Sequence, residues 1–598
     1  MTPHRVRRAS RDGFFHYRIL AALALCSAGL FLGLLGATAS NISNVSRVSP
    51  ESAVATKMSQ WALDHTINGQ QAEFIVMLSD QADLKEARSL RIKQERRRQV
   101  RDALWNRAQQ TQQPILNWLR QHNIEHRAFY IVNAIWVKTD GATIAIIAAR
   151  PDVLRVEGNP QVRNRIIDPT LNGLSPSTPE ITEAIESGIL FSHAPQVWSL
   201  GYTGQGIVVG GADTGYRWTH NALKNHYRGW DGVAANHNYN WHDSIHSNGG
   251  AACGHDSIVP CDDTDHGTHT MGTAVGSDGG TNQIGMAPGA KWIGCRNMDR
   301  GVGTPARYIE CMEFFLAPYP IGGSPAQGNP DLAPDITTNS WGCPASEGCA
   351  ANTLKAAVEA QRAAGIFMVV SAGNDGPNCH SISDPPAIYD AVYTVGALNT
   401  GSDGIADFSS RGTVTSDNSS RLKPDISAPG NPVRSAVRAT NSSYASFSGT
   451  SMASPHVAGA AALLWSAVPE LRRDIDRTEA ILNASAMPIG SFSGCDNGTV
   501  PNNTYGNGRL DAKAAVDCAY LEIMPSRVVP NGQAMNITFY AGANLIYRLE
   551  YKNSPADSEW LQVPAASDVY PSADGETQAI DPYGAQETRR IYRVRISR

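Results

Sequence analysis

The sequence predicts an α/β protein: a parallel sheet flanked by helices, preceded by a small α+β unit and followed by a small all-β module. Three observations carry this expectation. Apolar runs at Val208–Val209 and Val369–Val370 lead into small residues, as strands buried on both faces do. Apolar or small residues then recur at helical spacing over His266–Ala274 and Val457–Trp465. Near the C-terminus, alternating Leu545, Tyr547, Leu549 and Tyr551 have the two-residue period of a half-buried strand instead.

A chain of 598 residues exceeds what one core holds, so roughly two to four domains are expected. With 42% hydrophobic and 18% charged residues the composition is globular, and a net charge of −5 gives no reason to expect a nucleic-acid partner. Arg5, Arg7, Arg8 and Arg11 precede an uncharged stretch, 19–39, that ends in Ala37-Thr38-Ala39. Residues 1–39 therefore read as a cleaved secretory signal peptide. Gly, Ala and Ser dilute the stretch, which argues against stable membrane insertion. Residues 72–163 form the α+β unit: a strand at 73–78, charged helix over 83–121, a strand at 129–137, a helix near 142–149 and a strand at 153–156. The basic run from Arg91 to Arg98, with Glu95 interleaved, reads as a solvated helix face. Pro169, Pro176 and Pro179 mark 164–190 as a linker with the processing region. The main α/β domain spans 191–518. Residues 520–598, which also carry Tyr592, Val594 and Ile596 in alternation, read as a small antiparallel β-sandwich.

Four segments carry chemistry. Gly449-Thr-Ser-Met-Ala-Ser-Pro-His456 puts Ser451 among small residues at the start of an apolar helix. Backbone N–H groups and the helix dipole there face a developing negative charge, although a serine at a helix start is more often a cap. Asp213 ends the apolar run at Val208, where open α/β sheets place their sites. His266, in Asp265-His-Gly-Thr-His269, stands at a helix start. His269 and His456 are given structural roles. Asn374 follows the apolar run at Val369 and offers an amide donor; alone, it would read as a turn residue.

The order Asp213, His266, Asn374, Ser451 resembles the subtilisin-like serine protease family over roughly residues 190–518. That resemblance implies that Ser451 is the nucleophile, His266 its base, Asp213 the partner of His266, and Asn374 a donor to the oxyanion. It implies a serine endopeptidase acting on polypeptides, with no cofactor for the chemistry and no metal residues assigned. Family members often hold structural calcium, for which no ligands are named. Ser340, Trp341 and Gly342 resemble one strand that pairs with extended substrate, and Gly301, Val302 and Gly303 the other. Trp341 and Cys343, which flank Gly342, depart from the smaller or aliphatic residues of many relatives. Residues 72–163 resemble the subtilisin propeptide inhibitor, a ferredoxin-like unit, which implies a secreted zymogen blocked by its own propeptide. Residues 520–598 resemble the C-terminal β modules of secreted bacterial enzymes. The alternatives are a peptide-binding pseudoprotease and a surface-binding protein acting through that module.

Export favours disulfides. Cys253 and Cys261 close a short loop before His266 and are paired; Cys495 with Cys518 is a second expectation. The other cysteines cannot be paired from sequence. His242, His246 and the group Asp262, Asp263 and Asp265 read as loop polarity.

Overall fold

The computed structural model of the chain describes residues 54–90, 93–164, 185–247, 253–521, 527–541, 546–554, 557, 560–564, 568–571, 575–586 and 590–597. The expected signal peptide lies outside these residues, as do most of the expected linker and Leu545. No helix among the described residues is long and apolar enough to cross a membrane.

The apolar runs become a seven-stranded sheet, all parallel, in the order Ile426–Asn431, Tyr393–Asn399, Phe367–Ser371, Ile336–Asn339, Val208–Asp213, Lys291–Arg296, Trp241–Asp243. From Val208–Asp213 the chain crosses to the edge strand Trp241–Asp243, comes back to Lys291–Arg296 between them, then passes to the other side of Val208–Asp213 and builds to the opposite edge. That reversal opens a crevice at the C-terminal strand ends, and Asp213 stands on its rim. The Thr450–Ala467 helix is buried along its whole length and packs on the central strands and on the His266–Val275 helix. Its alanines and Gly459 leave little side-chain bulk, so a helix with no solvated face can still lie close to its neighbours.

The N-terminal unit follows a β-α-β-β-α-β path. Its four antiparallel strands run in the order Glu125–Phe129, Ala134–Thr139, Ala72–Leu78, Val153–Gly158, the arrangement of ferredoxin-like units. The expected single strand at 129–137 is a hairpin. Asn133 turns it, donating from Nδ2 to Asp80 O at 2.6 Å and accepting from Gln112 at 2.9 Å. The basic run is only partly a solvated face: Glu95 and Arg98 are exposed, but Arg96 and Arg97 turn toward the α/β domain. Arg97 is 2% exposed and donates to the carbonyls of Ala333, at 3.0 Å, and Pro334 and to Asp335. Arg96 donates to Ala363 O at 2.6 Å and to Arg362 O at 3.1 Å. These cations satisfy carbonyl ends of the α/β domain, which a helical-wheel argument cannot foresee.

The C-terminal residues form two three-stranded antiparallel sheets, Arg527–Asn531/Ala534–Ala541/Gly575–Asp581 and Leu561–Gln562/Ile546–Lys552/Ile591–Ser597. Tyr547, Leu549, Tyr551, Tyr592 and Val594 are buried, as their alternation requires. Among the described residues four disulfides are formed: Cys253–Cys261, Cys295–Cys311, Cys343–Cys349 and Cys379–Cys495. Cys495 thus bonds Cys379 and not Cys518. The loop after Cys495 is laid against the one after Cys379: Gly412 N donates to Asn503 O at 2.9 Å, and His380 N to Gly412 O at 2.8 Å.

Candidate active site

Asp213 and His266 meet at the crevice. Oδ1 of Asp213 lies 2.7 Å from His266 Nδ1, and both residues are nearly fully buried. An ionised carboxylate only accepts, so Nδ1 carries the proton and Nε2 of the neutral ring is the acceptor. Nε2 is buried and has no hydrogen-bond partner among the described residues. The approach depends on Gly267. A Cβ at that position would stand 2.1 Å from Gly215 O and 3.1 Å from the Asp213 Cβ, so only glycine lets the helix abut the strand end. Asp213 also accepts from Thr214 N at 2.7 Å and Thr270 Oγ1 at 3.3 Å.

A second carboxylate braces this pair. Asp262 is buried and accepts from Thr214 Oγ1 at 2.9 Å, Thr268 Oγ1 at 2.5 Å, Thr268 N at 3.1 Å and Thr264 N at 3.1 Å. It thereby ties the residue after Asp213 to the helix of His266. Burial disfavours the charged imidazole of His266, but the charge and hydrogen bond of Asp213, with the charge of Asp262, outweigh it and raise the pKa above its ordinary value. Reading the aspartates as loop polarity misses this. Asp263 is equally buried and bonds Arg296 at 2.6 Å, while His242 and His246 each bond Glu310 Oε1 at 2.8 Å.

Ser451 is the second residue of the Thr450–Ala467 helix and 5% exposed. Pro455, inside that helix, has no N–H for the Ser451 carbonyl four residues back. The Ser340 hydroxyl supplies the missing donor at 3.1 Å and also lies 3.0 Å from Ser454 Oγ. Asn374 Oδ1 accepts from Thr450 N and Thr450 Oγ1, both at 2.9 Å. With its oxygen held there, the amide turns its Nδ2 donor away from Thr450.

Asn374, Thr450, Ser451, Trp341, Gly342 and Asn164 line one cleft. Asn164 comes from the N-terminal unit. Val162–Arg163 pair antiparallel with Val302–Gly303, which pair in turn with Met298–Asp299. Asn164 N donates to Gly301 O at 2.8 Å and its Nδ2 to Ser340 O at 2.9 Å. The expected substrate-binding residues on both sides of the cleft therefore hold an extended segment of the chain itself. No local signal marks 162–164, because their pairing spans about 140 residues of sequence. His269 and His456 stand apart from this chemistry. His269 Nε2 lies 3.0 Å from Val433 O and 3.1 Å from Ala445 O, and burial lowers its pKa to about 3. His456 Nδ1 lies 2.9 Å from Met452 O, and burial lowers its pKa to about 4.

A profile described as the subtilase family of peptidases matches residues 204–508, just over half of the chain. The chain belongs to the subtilase family. This subtilase is 35% identical to bacillopeptidase F of Bacillus subtilis (strain 168), over 73% of its own length and 30% of that protein. It is 32% identical to the serine protease AprX of the same strain, over 49% of this chain and 65% of AprX. With subtilisin DY of Bacillus licheniformis it shares 30% identity over 56% of this chain and 99% of that protein. The subtilase thus spans less than a third of the length of bacillopeptidase F and nearly the whole of subtilisin DY.

Proposed function

We propose that this subtilase is a secreted serine endopeptidase, made as a zymogen, that hydrolyses peptide bonds through an acyl-enzyme. The observation that carries the reading is the buried Asp213–His266 hydrogen bond of 2.7 Å, with His266 Nε2 left as an open acceptor beside the helix that starts at Thr450–Ser451. In the proposed reaction the Ser451 oxygen attacks the substrate carbonyl carbon as Nε2 takes its proton. Asp213 holds the ring in the tautomer that makes this possible and stabilises the imidazolium. The carbonyl oxygen, now negative, accepts from Asn374 Nδ2 and from the Ser451 N–H. The imidazolium returns its proton to the leaving amine as the carbon–nitrogen bond breaks. Water then repeats the sequence on the acyl-enzyme and releases Ser451.

The N-terminal unit is read as the propeptide that inhibits the enzyme. Its segment 162–164 occupies the cleft as an added strand, the way an extended substrate would. Polypeptides are the proposed substrates, since backbone pairing of this kind ignores sequence. Four disulfides support an oxidising destination outside the cell. The chemistry calls on no cofactor, and no ligand set is assigned to calcium. A fluorophosphonate probe tests the reading. Wild-type protein freed of its N-terminal unit is expected to be labelled, and the Ser451→Ala variant to stay unlabelled and keep that unit attached. An unlabelled wild type, as a pseudoprotease or a surface-binding protein would give, overturns it.

A further inference from the structure

The C-terminal β module meets the α/β domain along one strand, and a carboxylic acid is buried there. Ile537 and Phe539 of the Ala534–Ala541 strand are buried in the same core as Tyr547 and Leu549. Side chains alternate along a strand, so Thr538 between them faces the other way. Thr538 is buried all the same. Pro469–Leu471, the turn after the Thr450–Ala467 helix, lies against this strand and covers that face. Both carboxylate oxygens of Glu470, at the centre of the turn, are buried and have no hydrogen-bond partner among the described residues. Oδ1 of Asn536, on the same strand face as Thr538, is buried without a partner among them too.

Few charges act on Glu470. The Thr450–Ala467 helix carries no Asp, Glu, Lys or Arg. Arg472 and Arg477 are the cations that favour its charged form. Arg472 Nε donates to Trp465 O at 3.3 Å, and Arg477 lies 3.9 Å from Asp474. Asp476 and Glu479, in the helix that follows, both bond Arg362 at 2.6 Å. On the module, Arg527 stands opposite Thr538 and Glu576 opposite Tyr540, both exposed. Burial disfavours the carboxylate; its own N–H, Arg477 and Arg472 offset this only in part, and the pKa is pushed up from 4.5 to about 7.

We propose that Glu470 is a pH-sensitive latch between the two domains: neutral, it keeps the C-terminal module docked; charged, it is left without a partner in the contact and the module comes away. A buried, unpaired carboxylate is costly, and undocking returns it to water. The docked state holds the proton more tightly than the undocked one. Docking is therefore strongest below pH 4.5, weakens about tenfold per pH unit up to about pH 7, and levels off above.

The test uses the full chain with Ser451→Ala, so that no self-cleavage intervenes, and a thiol introduced by Thr538→Cys. The alkylation rate of that thiol, compared at each pH with its rate in urea-unfolded protein, measures docking. Its protection is expected to fall roughly 70-fold from pH 5 to pH 8. With Glu470→Gln, neutral at every pH and of similar size, protection is expected to change by less than about threefold. A thiol introduced instead by Ala579→Cys, inside the module's core, is expected to stay protected at pH 8. Equal falls with and without Glu470→Gln, or no fall in either, overturn the inference. Loss of protection in the Ala579→Cys protein also overturns it, because the module would then be unfolding and not undocking.

Discussion

His266 Nε2 is the one nitrogen on which the proposed chemistry turns, and its behaviour is set by two carboxylates. A base must be unprotonated, so activity rises with pH as the imidazolium loses its proton. Asp213 and Asp262 hold that proton more tightly than water does, and the net shift is upward from the ordinary value of 6.5. The acid limb of kcat/KM against pH is therefore expected to have its midpoint above 6.5. In Asp262→Asn protein it moves lower, because one negative charge is gone; the amide keeps the size of the carboxylate, although its NH2 cannot accept from the backbone N–H of Thr264 or Thr268. A limb unmoved by that substitution would show Asp262 to be only a brace. Asn374→Ala is expected to lower kcat by about 10²–10³ with KM little changed, measured against wild type on one peptide substrate. The sequence singled out Asp213, His266, Asn374 and Ser451 because each sits at an element boundary in a run of small residues and their order resembles the subtilisin-like arrangement. Asp262 was not legible. Its importance comes from Thr214 and Thr268 converging on it, and no spacing rule records that.

Among the elements, the Thr450–Ala467 helix and the 93–111 helix show two ways a helix end or face acquires its role. Pro455 opens the hydrogen-bond ladder of the first helix at the carbonyl of Ser451, and Ser340 closes it from a neighbouring strand. Ser340→Ala leaves that carbonyl unsatisfied and is expected to destabilise the protein by about 1–3 kcal/mol, read from urea denaturation of the Ser451→Ala background. The second helix docks through cations. Arg97 is buried between Ala333, Pro334 and Asp335, so Arg97→Met in the same background is expected to destabilise the protein by about 3 kcal/mol. If the loss is no larger than for an exposed arginine such as Arg120, the docking argument fails. Helical pattern in the sequence gave both helices. It gave neither contact, and a continuous apolar run at 129–137 hid a hairpin that Asn133 turns.

Across the whole molecule the disulfides differ most in the length of chain they close. Cys379–Cys495 spans 116 residues and Cys253–Cys261 only 8. Loop-closure entropy then predicts losses of about 5 and about 2.5 kcal/mol on removing each bond, measured by denaturation of Cys495→Ser and Cys253→Ser proteins. Cys253–Cys261 could be read from proximity alone, whereas Cys379–Cys495 needed two distant loops to be laid side by side. The same division runs through the chain. Local pattern by itself determined the parallel sheet with its helices, the α+β unit ahead of it and the β strands behind it, while the proposed roles of Asp213, His266, Asn374 and Ser451 came from the resemblance of their order to a known family. Periodicity and strand-end position are properties of a few neighbouring residues, so a sequence carries them openly. Only the tertiary structure decided that residues 162–164 lie in the cleft and that Arg97 is buried. Those depend on which distant surfaces share one core, a choice made by packing and hydrogen-bond satisfaction over the whole chain at once.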